Sequence, residues 1–413
     1  MEKWLILGLL TLRHVYELIL HLTSRRSAEN PTPANVADVY DAQTYQKWKR
    51  YRAEKGRLGV VNTLLGWVVM MALLYFNVYA TVAALFPIGP FWQMLAVLLF
   101  DALVSAAVGA GINYVDSMVI EEKYGFNRTT VKTFVVDQIR GLIVSLLLGL
   151  LLVGLLAVLH TTLGDWLILL FALGVFLISL AISFLYPILS RIGNKFTPLE
   201  EGELKERLMG LLTKHGYQVK AIEVMDASRR TTKLNAYFTG FGKLKTIVLY
   251  DNLVEAMSTD EICAVFAHEL GHGLHRDVLK MQIMNFGNML IMSVIVWLAV
   301  RYPALHQAFG FEGINYGFAY ILFGVGIGLV SPLVGMFTNA YSRRAEYRAD
   351  RQAVEEGYGP ALITGLKKLA RENFSHMAPS RALVVLEYNH PPLSERIEAV
   401  EKAVNGGKLD SAS

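Results

Sequence analysis

The chain has 413 residues, of which 54% are hydrophobic and only 18% are charged. A soluble globular chain normally carries about 25% charged residues, and here the apolar residues are concentrated in long blocks. The composition therefore indicates an integral membrane protein.

The net charge is only +4 and no basic run is interleaved with aromatic residues, which excludes a nucleic-acid groove. The single cysteine, Cys263, excludes an internal disulfide and a multi-cysteine metal site, and we expect it to fill a small space in the core.

Seven segments are apolar and long enough to cross a bilayer, which takes about 20 residues each. They lie at 4–22, 58–80, 91–113, 140–162, 166–189, 279–301 and 317–340. The loops 23–57 and 114–139 are basic, whereas 81–90, 160–165 and 302–316 contain no lysine or arginine. This alternation follows the positive-inside rule, so we expect the N-terminus outside and the C-terminus in the cytoplasm.

Four ionisable residues lie within the predicted spans: Arg13, His14, Glu17 and Asp101. Because charges in lipid are costly, we expect these side chains to face the interior of the helix bundle or to pair with one another. Two explanations remain open. Either they line a water-filled chamber, or they form salt bridges where helices pack.

The segment 190–278 is the one sizeable polar portion between two spans. It contains a charged amphipathic helix predicted from Pro198 onward, strands predicted at 221–225, 233–238 and 246–250, and a turn at 240–243. Ser258 and Glu261 then have the spacing of a capping box, so a helix should begin there.

That predicted helix carries His268-Glu-Leu-Gly-His272. Residues four apart lie on one face of a helix, so the imidazoles of His268 and His272 can bind one zinc ion. Glu269 is displaced by one position and can take a proton from a water on that ion. Chance matches to this short pattern occur in long chains. The capped helix and the position just before a membrane span favour a metal site.

Two histidines leave the site one protein ligand short of a catalytic zinc centre. A metzincin would place a third histidine ten residues after His268, where this chain has Val278. His275 and Asp277 are nearby candidates.

Geometry favours Glu346 as the third ligand. The spans 279–301 and 317–340 form an antiparallel pair, with His272 about seven residues before the first and Glu346 about six after the second. Equal rises of about 1.5 Å per residue bring the two side chains level. Asp350, one turn further on, could orient a ligand histidine. The alternative is a juxtamembrane charge cluster formed with Arg343, Arg344 and Arg348.

Taken together, four motifs resemble those of the type I CaaX prenyl proteases, integral-membrane gluzincins of the endoplasmic reticulum with bacterial relatives. The motifs are His268-Glu-Leu-Gly-His272, Ser342-Arg-x-x-Glu346-x-x-x-Asp350, Asn235-Ala-Tyr-Phe and His390-Pro-Pro-Leu. The resemblance implies a mainly α, multi-pass membrane protein. Seven helices would form a barrel around a water-filled chamber, with a gluzincin-like peptidase domain that contains a small β-sheet.

The resemblance also implies roles for particular residues. One zinc ion per chain would face the chamber. Asn235, Ala236 and Tyr237 would form an edge strand that pairs with an extended substrate, although Tyr237 stands where the family often has phenylalanine. His390 would stabilise the tetrahedral oxyanion, with Arg396 approaching the same place.

The domain organisation that follows has four parts. We expect five transmembrane helices with their cytoplasmic loops (1–189), a zinc peptidase domain (190–278), two more transmembrane helices (279–340), and a third-ligand helix with the cytoplasmic C-terminal part (341–413).

The expected activity is that of an integral-membrane zinc endopeptidase resembling the enzymes that remove the C-terminal tripeptide of prenylated proteins. Its partners would be peptide or protein substrates, lipidated or not, and membrane lipids, but no nucleic acid. The sequence leaves the oligomeric state open. The C-terminal Asp410-Ser-Ala-Ser413 is no endoplasmic-reticulum retention signal. We therefore expect a bacterial inner membrane, or the endoplasmic reticulum membrane if the chain is eukaryotic.

Two alternatives remain open. The first is an HtpX-like quality-control protease of misfolded membrane proteins, a group that usually has four spans. The second is a non-catalytic membrane chamber with a structural zinc, closed by a fourth protein ligand such as Asp277, Asp350 or a histidine.

Overall fold

The computed structural model describes residues 1–191, 193–239 and 246–406. Long helices dominate this part of the chain. The helices are α1 Glu2–Ser27, α2 Ala42–Tyr75, α3 Val78–Ala84, α4 Pro90–Tyr114, α5 Val131–Leu163, α6 Leu167–Leu189, α7 Glu203–Lys214, α8 Asp251–Ala256, α9 Thr259–Leu274, α10 Asp277–Arg301, α11 Pro303–Gln307, α12 Tyr316–Glu355, α13 Gly359–Glu372, α14 Arg381–Glu387 and α15 Leu393–Val404. The strands are β1 Phe196–Pro198, β2 Ala221–Met225, β3 Ala236–Thr239 and β4 Thr246–Tyr250.

Within the described residues, six regions are long and apolar enough to cross a membrane. They are Glu2–Ser27, Ala42–Tyr75, Pro90–Glu121, Val131–Leu185, Asp277–Arg301 and Tyr316–Glu355. The chain is therefore an integral, multi-pass membrane protein. The sequence predicts seven spans, and the difference arises because Val131–Leu185 joins α5 and α6 through the short 3-10 turn Gly164–Trp166. A Cβ added at Gly174 of α6 would lie 2.8 Å from Leu155 Cδ2 of α5, so the two helices pack against each other.

The helix that carries the predicted second span, 58–80, has different bounds from that span. The helix α2 begins at Ala42, where Asp41 accepts a hydrogen bond from the Thr44 backbone N–H at 2.7 Å, and it ends at Tyr75. Asn77 then adopts a left-handed conformation (φ 57°), which breaks the helix before α3. Apolar residues mark only the part of a helix that lies in lipid, so their pattern cannot locate ends that lie in water.

The four ionisable residues predicted within the spans each have a polar partner, which for His14 Nδ1 is the Leu10 carbonyl at 2.8 Å. Arg13 Nε lies 3.0 Å from Glu17 Oε1 on α1, and Asp101 accepts a hydrogen bond from the Tyr79 hydroxyl at 2.7 Å. Pairing lowers the cost of placing ionisable groups at membrane depth.

A four-stranded sheet packs beside the zinc-motif helix, in the order β1-β2-β4-β3. The strands β2 and β4 are parallel, and the two outer pairs are antiparallel. The predicted strands 221–225 and 246–250 are confirmed, whereas the strand predicted at 233–238 begins only at Ala236. The strand β1 was not predicted. It overlaps the helix predicted from Pro198 only at that residue, and α7 begins later than predicted, at Glu203. The predicted turn at 240–243 lies outside the described residues.

The capping box at the start of α9 is confirmed. The Ser258 backbone N–H donates to Glu261 Oε2 at 2.9 Å, and the Glu261 backbone N–H donates to Ser258 Oγ at 3.3 Å. The helix is buried on most of its surface, and Cys263 is fully buried within it, as expected for a small core residue.

Helix α9 packs directly on α12 at Gly271. A Cβ added to Gly271 would lie 2.9 Å from Ala349 Cα and 3.0 Å from Gln352 Cβ, closer than real Cβ atoms approach such neighbours. Glycine at this position therefore permits a backbone separation that a larger residue would prevent. This contact brings the His268–His272 face of α9 against α12.

We expect Gly271→Ala to force α9 and α12 apart. Overpacking of a close contact costs about 1–3 kcal/mol, so the variant should show a lower thermal unfolding midpoint in detergent. Gly210→Ala on α7 is the matched control, because a Cβ there meets nothing within 4 Å and alanine is the better helix former by roughly 1 kcal/mol. A Gly271→Ala protein as stable as the control would contradict the packing argument.

Candidate metal centre

Three side chains from α9 and α12 converge at the interface of these helices. His268 Nε2 lies 3.5 Å from Glu346 Oε2, and His272 Nε2 lies 3.3 Å from Glu346 Oε1. One donor atom from each residue lies within 4.8 Å of the others, a group that could hold a metal ion. The structure thus brings together the two motif histidines of α9 and Glu346 of α12, which are separated along the chain by α10 and α11.

The other ring nitrogen of each histidine faces a carboxylate. His268 Nδ1 lies 2.8 Å from Asp350 Oδ1, and His272 Nδ1 lies 3.2 Å from Asp277 Oδ2. Because an ionised carboxylate only accepts hydrogen bonds, we assign the ring proton to Nδ1 in both histidines. A neutral ring with its proton on Nδ1 presents the Nε2 lone pair to a metal, and both Nε2 atoms face Glu346.

Asp350 is held in turn by Arg396. The guanidinium donates from Nε to Asp350 Oδ2 at 2.8 Å and from Nη2 to Asp350 Oδ1 at 2.6 Å, a bidentate pair. Arg396 Nη1 also lies 3.3 Å from Glu346 Oε2. Although burial lowers the pKa of Arg396, the charge of Asp350 outweighs burial and holds that pKa above its ordinary value. The guanidinium therefore stays charged. Its predicted approach to the oxyanion stays a prediction.

The donor set fits a divalent cation. Glu346 is buried, and its Oε2 has an ion-pair contact with Arg396 but no hydrogen-bond partner, a state that is rare for a buried polar atom unless an ion or water satisfies it. Burial by itself lowers the pKa of His272, but the hydrogen bond and charge of Glu346 outweigh burial and raise that pKa to about 9. The pocket therefore attracts positive charge.

The number of donors favours a catalytic site over a structural one. Among the described residues, only His268, His272 and Glu346 form the metal-binding group, and a structural zinc normally has four protein ligands. Asp277 and Asp350, weighed above as closing ligands, lie on the Nδ1 side of the two rings instead. His275 lies at the end of α9, outside the group.

The residues predicted to act on a substrate lie beside this group. Glu269 and the strand residues Ala236 and Tyr237 line one pocket with an apolar wall formed by Ile247, Leu249, Leu253, Ile262, Val265 and Phe266. Asn235 comes just before β3, the outer strand of the described sheet, and its carbonyl accepts from the Tyr250 backbone N–H at 3.1 Å.

His390 reaches the same centre from the loop after α14. Its Nε2 lies 3.3 Å from Glu346 Oε1, and its side chain is 56% exposed. The Arg343 guanidinium donates to the carbonyls of Val384 (2.9 Å) and Tyr388 (2.7 Å), which ties the loop that carries His390 to α12.

The supporting contacts of Arg343, Arg348 and Asp277 were not predicted from the sequence. The sequence suggested the two arginines only as members of a charge cluster, and Asp277 only as a metal ligand. In the structure, Arg348 Nη2 and the Tyr341 hydroxyl donate to Asp277 Oδ1 at 2.7 and 2.9 Å. The sequence offers no spacing signal for the contact of Asp277 with His272, because residues five apart do not share a face of a helix.

Comparison with known proteins decides the family. Residues 198–404 match Peptidase family M48, and residues 21–191 match the family described as CAAX prenyl protease N-terminal, five membrane helices. The chain belongs to peptidase family M48.

Named relatives agree with this assignment. A CAAX prenyl protease 1 homolog from Oryza sativa subsp. japonica is 31% identical over 96% of this chain and 97% of its own. The CAAX prenyl protease 1 of Saccharomyces cerevisiae is 28% identical over 91% of this chain and 90% of its own. The crystal structure of S. mikatae Ste24p superposes with a TM-score of 0.90 at 25% identity, covering 97% of this chain and 99% of that one. This M48 protein is therefore a membrane zinc metalloprotease of the CaaX protease type.

We expect Arg396→Met to destabilise the zinc-free M48 protein strongly. It leaves the fully buried Asp350 without its bidentate partner, and breaking a buried pair costs about 3–5 kcal/mol. Thermal unfolding in detergent measures the change.

The matched control is Lys402→Met on the same helix, where Lys402 pairs with Glu398 at the exposed surface. Such pairs contribute at most about 1 kcal/mol. Equal unfolding midpoints for the two variants would contradict the argument.

Proposed function

We propose that this M48 protein removes the C-terminal tripeptide from prenylated CaaX proteins. His268, His272 and Glu346 would bind the zinc, Asp350 would orient His268, and Glu269 would be the general base. One observation above all supports this proposal. Both histidines are held at Nδ1 by carboxylates while their Nε2 atoms face Glu346, and Glu269 lines the pocket beside β3.

The residues of the chain have separable tasks in this mechanism. An extended substrate pairs with the outer edge of β3, near Asn235, Ala236 and Tyr237, so that backbone hydrogen bonds hold the scissile bond near Glu269. Zinc, when bound, polarises the scissile carbonyl and lowers the pKa of water. Glu269 takes the proton from the attacking water and returns it to the leaving amine nitrogen. The imidazole of His390 stabilises the negative charge that develops on the carbonyl oxygen.

We propose seven membrane crossings, with α5 and α6 as two of them. Each has more than the roughly 20 residues that a crossing needs, and Gly164 (φ 55°) lies at the turn between them. The basic loops 23–57 and 114–139 favour a cytoplasmic peptidase domain. The membrane would be a bacterial inner membrane, or the endoplasmic reticulum membrane in a eukaryote, with the helices enclosing a chamber and contacting lipid.

The match of residues 21–191 to an N-terminal region with five membrane helices favours a CaaX-type activity over HtpX-like quality control. An HtpX-like protein usually has four spans. Glu269 argues against a non-catalytic zinc chamber, because a structural zinc needs no base beside it.

Glu269→Gln should remove cleavage and leave zinc binding intact. A glutamine cannot accept the proton, and the loss of a general base lowers kcat by about 10²–10⁴-fold. The measurement is release of the tripeptide from a farnesylated CaaX peptide by purified protein, together with metal analysis of each preparation. Glu255→Gln, at an exposed position of α8, is the control. Full activity in Glu269→Gln, or active protein without zinc, would refute the assignment.

The same assay with an unprenylated peptide of identical sequence tests the substrate class. Burial of only two methylene groups of the farnesyl chain would contribute about 1.6 kcal/mol. This exceeds the roughly 1.4 kcal/mol that corresponds to a tenfold change in kcat/KM. We therefore expect kcat/KM to be at least about tenfold higher for the farnesylated peptide. Equal values for the two peptides would favour the quality-control activity instead.

A further inference from the structure

The chain makes a sharp break between the zinc-motif helix and the next membrane helix. Helix α9 ends at Leu274, and Arg276 adopts a left-handed conformation (φ 54°, ψ 35°) before α10 begins at Asp277. In a continuous helix, a residue five positions after His272 would lie about 140° around the axis and could not face it. The break returns the Asp277 carboxylate to the His272 ring.

Both carboxylate oxygens of Asp277 are occupied by protein groups. Oδ2 lies 3.2 Å from His272 Nδ1, and Oδ1 accepts from Arg348 Nη2 at 2.7 Å and from the Tyr341 hydroxyl at 2.9 Å. The residue is only 4% exposed. It therefore lies behind the histidine, away from the face that Glu346 shares with the two Nε2 atoms.

The arrangement repeats the one around His268. There the carboxylate of Asp350 lies between the Nδ1 of a ligand histidine and the guanidinium of Arg396. Around His272 the carboxylate of Asp277 lies between Nδ1 and the guanidinium of Arg348. Each histidine thus has its own carboxylate, and each carboxylate its own arginine.

We propose that Asp277 is a positioning residue that fixes the Nδ1–H tautomer and the ring direction of His272 for zinc. The proposal rests on the proposed metal site. Tyr341 and Arg348, which donate to Asp277, belong to α12, and Asp277 itself begins α10. The two membrane helices α10 and α12 therefore set the direction of the His272 ring. A carboxylate in this position also makes the imidazole a better donor to a metal.

The test measures zinc affinity, not cleavage. Purified, metal-free wild-type, Asp277→Asn and Asp277→Ala proteins are titrated with zinc against a competing chelator at one pH. Loss of such an orienting partner weakens metal binding by about 10–100-fold, which we expect for Asp277→Ala. Asp277→Asn retains an acceptor oxygen but no charge, so its loss should be smaller. The visible spectrum of the cobalt-substituted proteins should change in parallel, because it reports the geometry of the ligands.

Glu356→Gln is the matched control. Glu356 Oε1 lies 2.7 Å from His215 Nε2 and Oε2 lies 2.7 Å from Lys214 Nζ, the same combination of histidine, carboxylate and cation without a metal ligand. Its zinc affinity should equal that of the wild type. Thermal unfolding of each metal-free protein shows whether the variants are folded, and Asp277→Asn decides the matter if Asp277→Ala does not fold.

The outcomes separate the two proposals. A wild-type protein that binds no zinc overturns the proposed function and this inference with it. A wild type that binds zinc and folded Asp277 variants that bind it equally well overturn this inference alone. An equal loss in Glu356→Gln also overturns it, because the effect would then be a general one of removing a buried carboxylate.

Discussion

The close packing of α9 on α12 is the constraint on which the rest of the site depends. At Gly271 the two backbones approach more closely than a side chain would allow, and the residues that must meet across this contact lie within one helical turn of it. Because α12 is one continuous helix from Tyr316 to Glu355, with Pro332 inside it, its membrane portion leads directly into its metal-site portion. The membrane helices thereby determine where Glu346 stands relative to the two histidines.

The balance of buried charges between α9 and α12 determines that the site binds a cation. Two carboxylates, Asp350 and Asp277, each pair with an arginine and a histidine, so little net charge is buried behind the rings. On the opposite side, the buried carboxylate of Glu346 faces the two Nε2 atoms and one nitrogen of Arg396. A divalent cation completes this balance, since buried charges are stable only when paired or bound to metal.

The sequence was most informative where chemistry and periodicity coincide. The capping box located the start of α9, the motif spacing placed His268 and His272 on one face, and equal lengths of chain on either side of a helical pair predicted the position of Glu346. Helix ends in water, such as Ala42, could not be predicted, because hydropathy marks only the lipid-facing part. The contact of Asp277 with His272 depends on the left-handed residue Arg276, a conformation that no local pattern specifies. The contacts of Arg343 and Arg348 depend on tertiary packing and have no signature in the sequence.

X-ray absorption at the zinc edge of the purified wild-type protein tests the central claim most directly, because it identifies the atoms bound to the metal. The account predicts one zinc per chain with two imidazole nitrogens and otherwise oxygen donors, as expected for His268, His272, Glu346 and a non-protein ligand. A spectrum with three or four imidazoles, with sulfur, or with no bound zinc would contradict it.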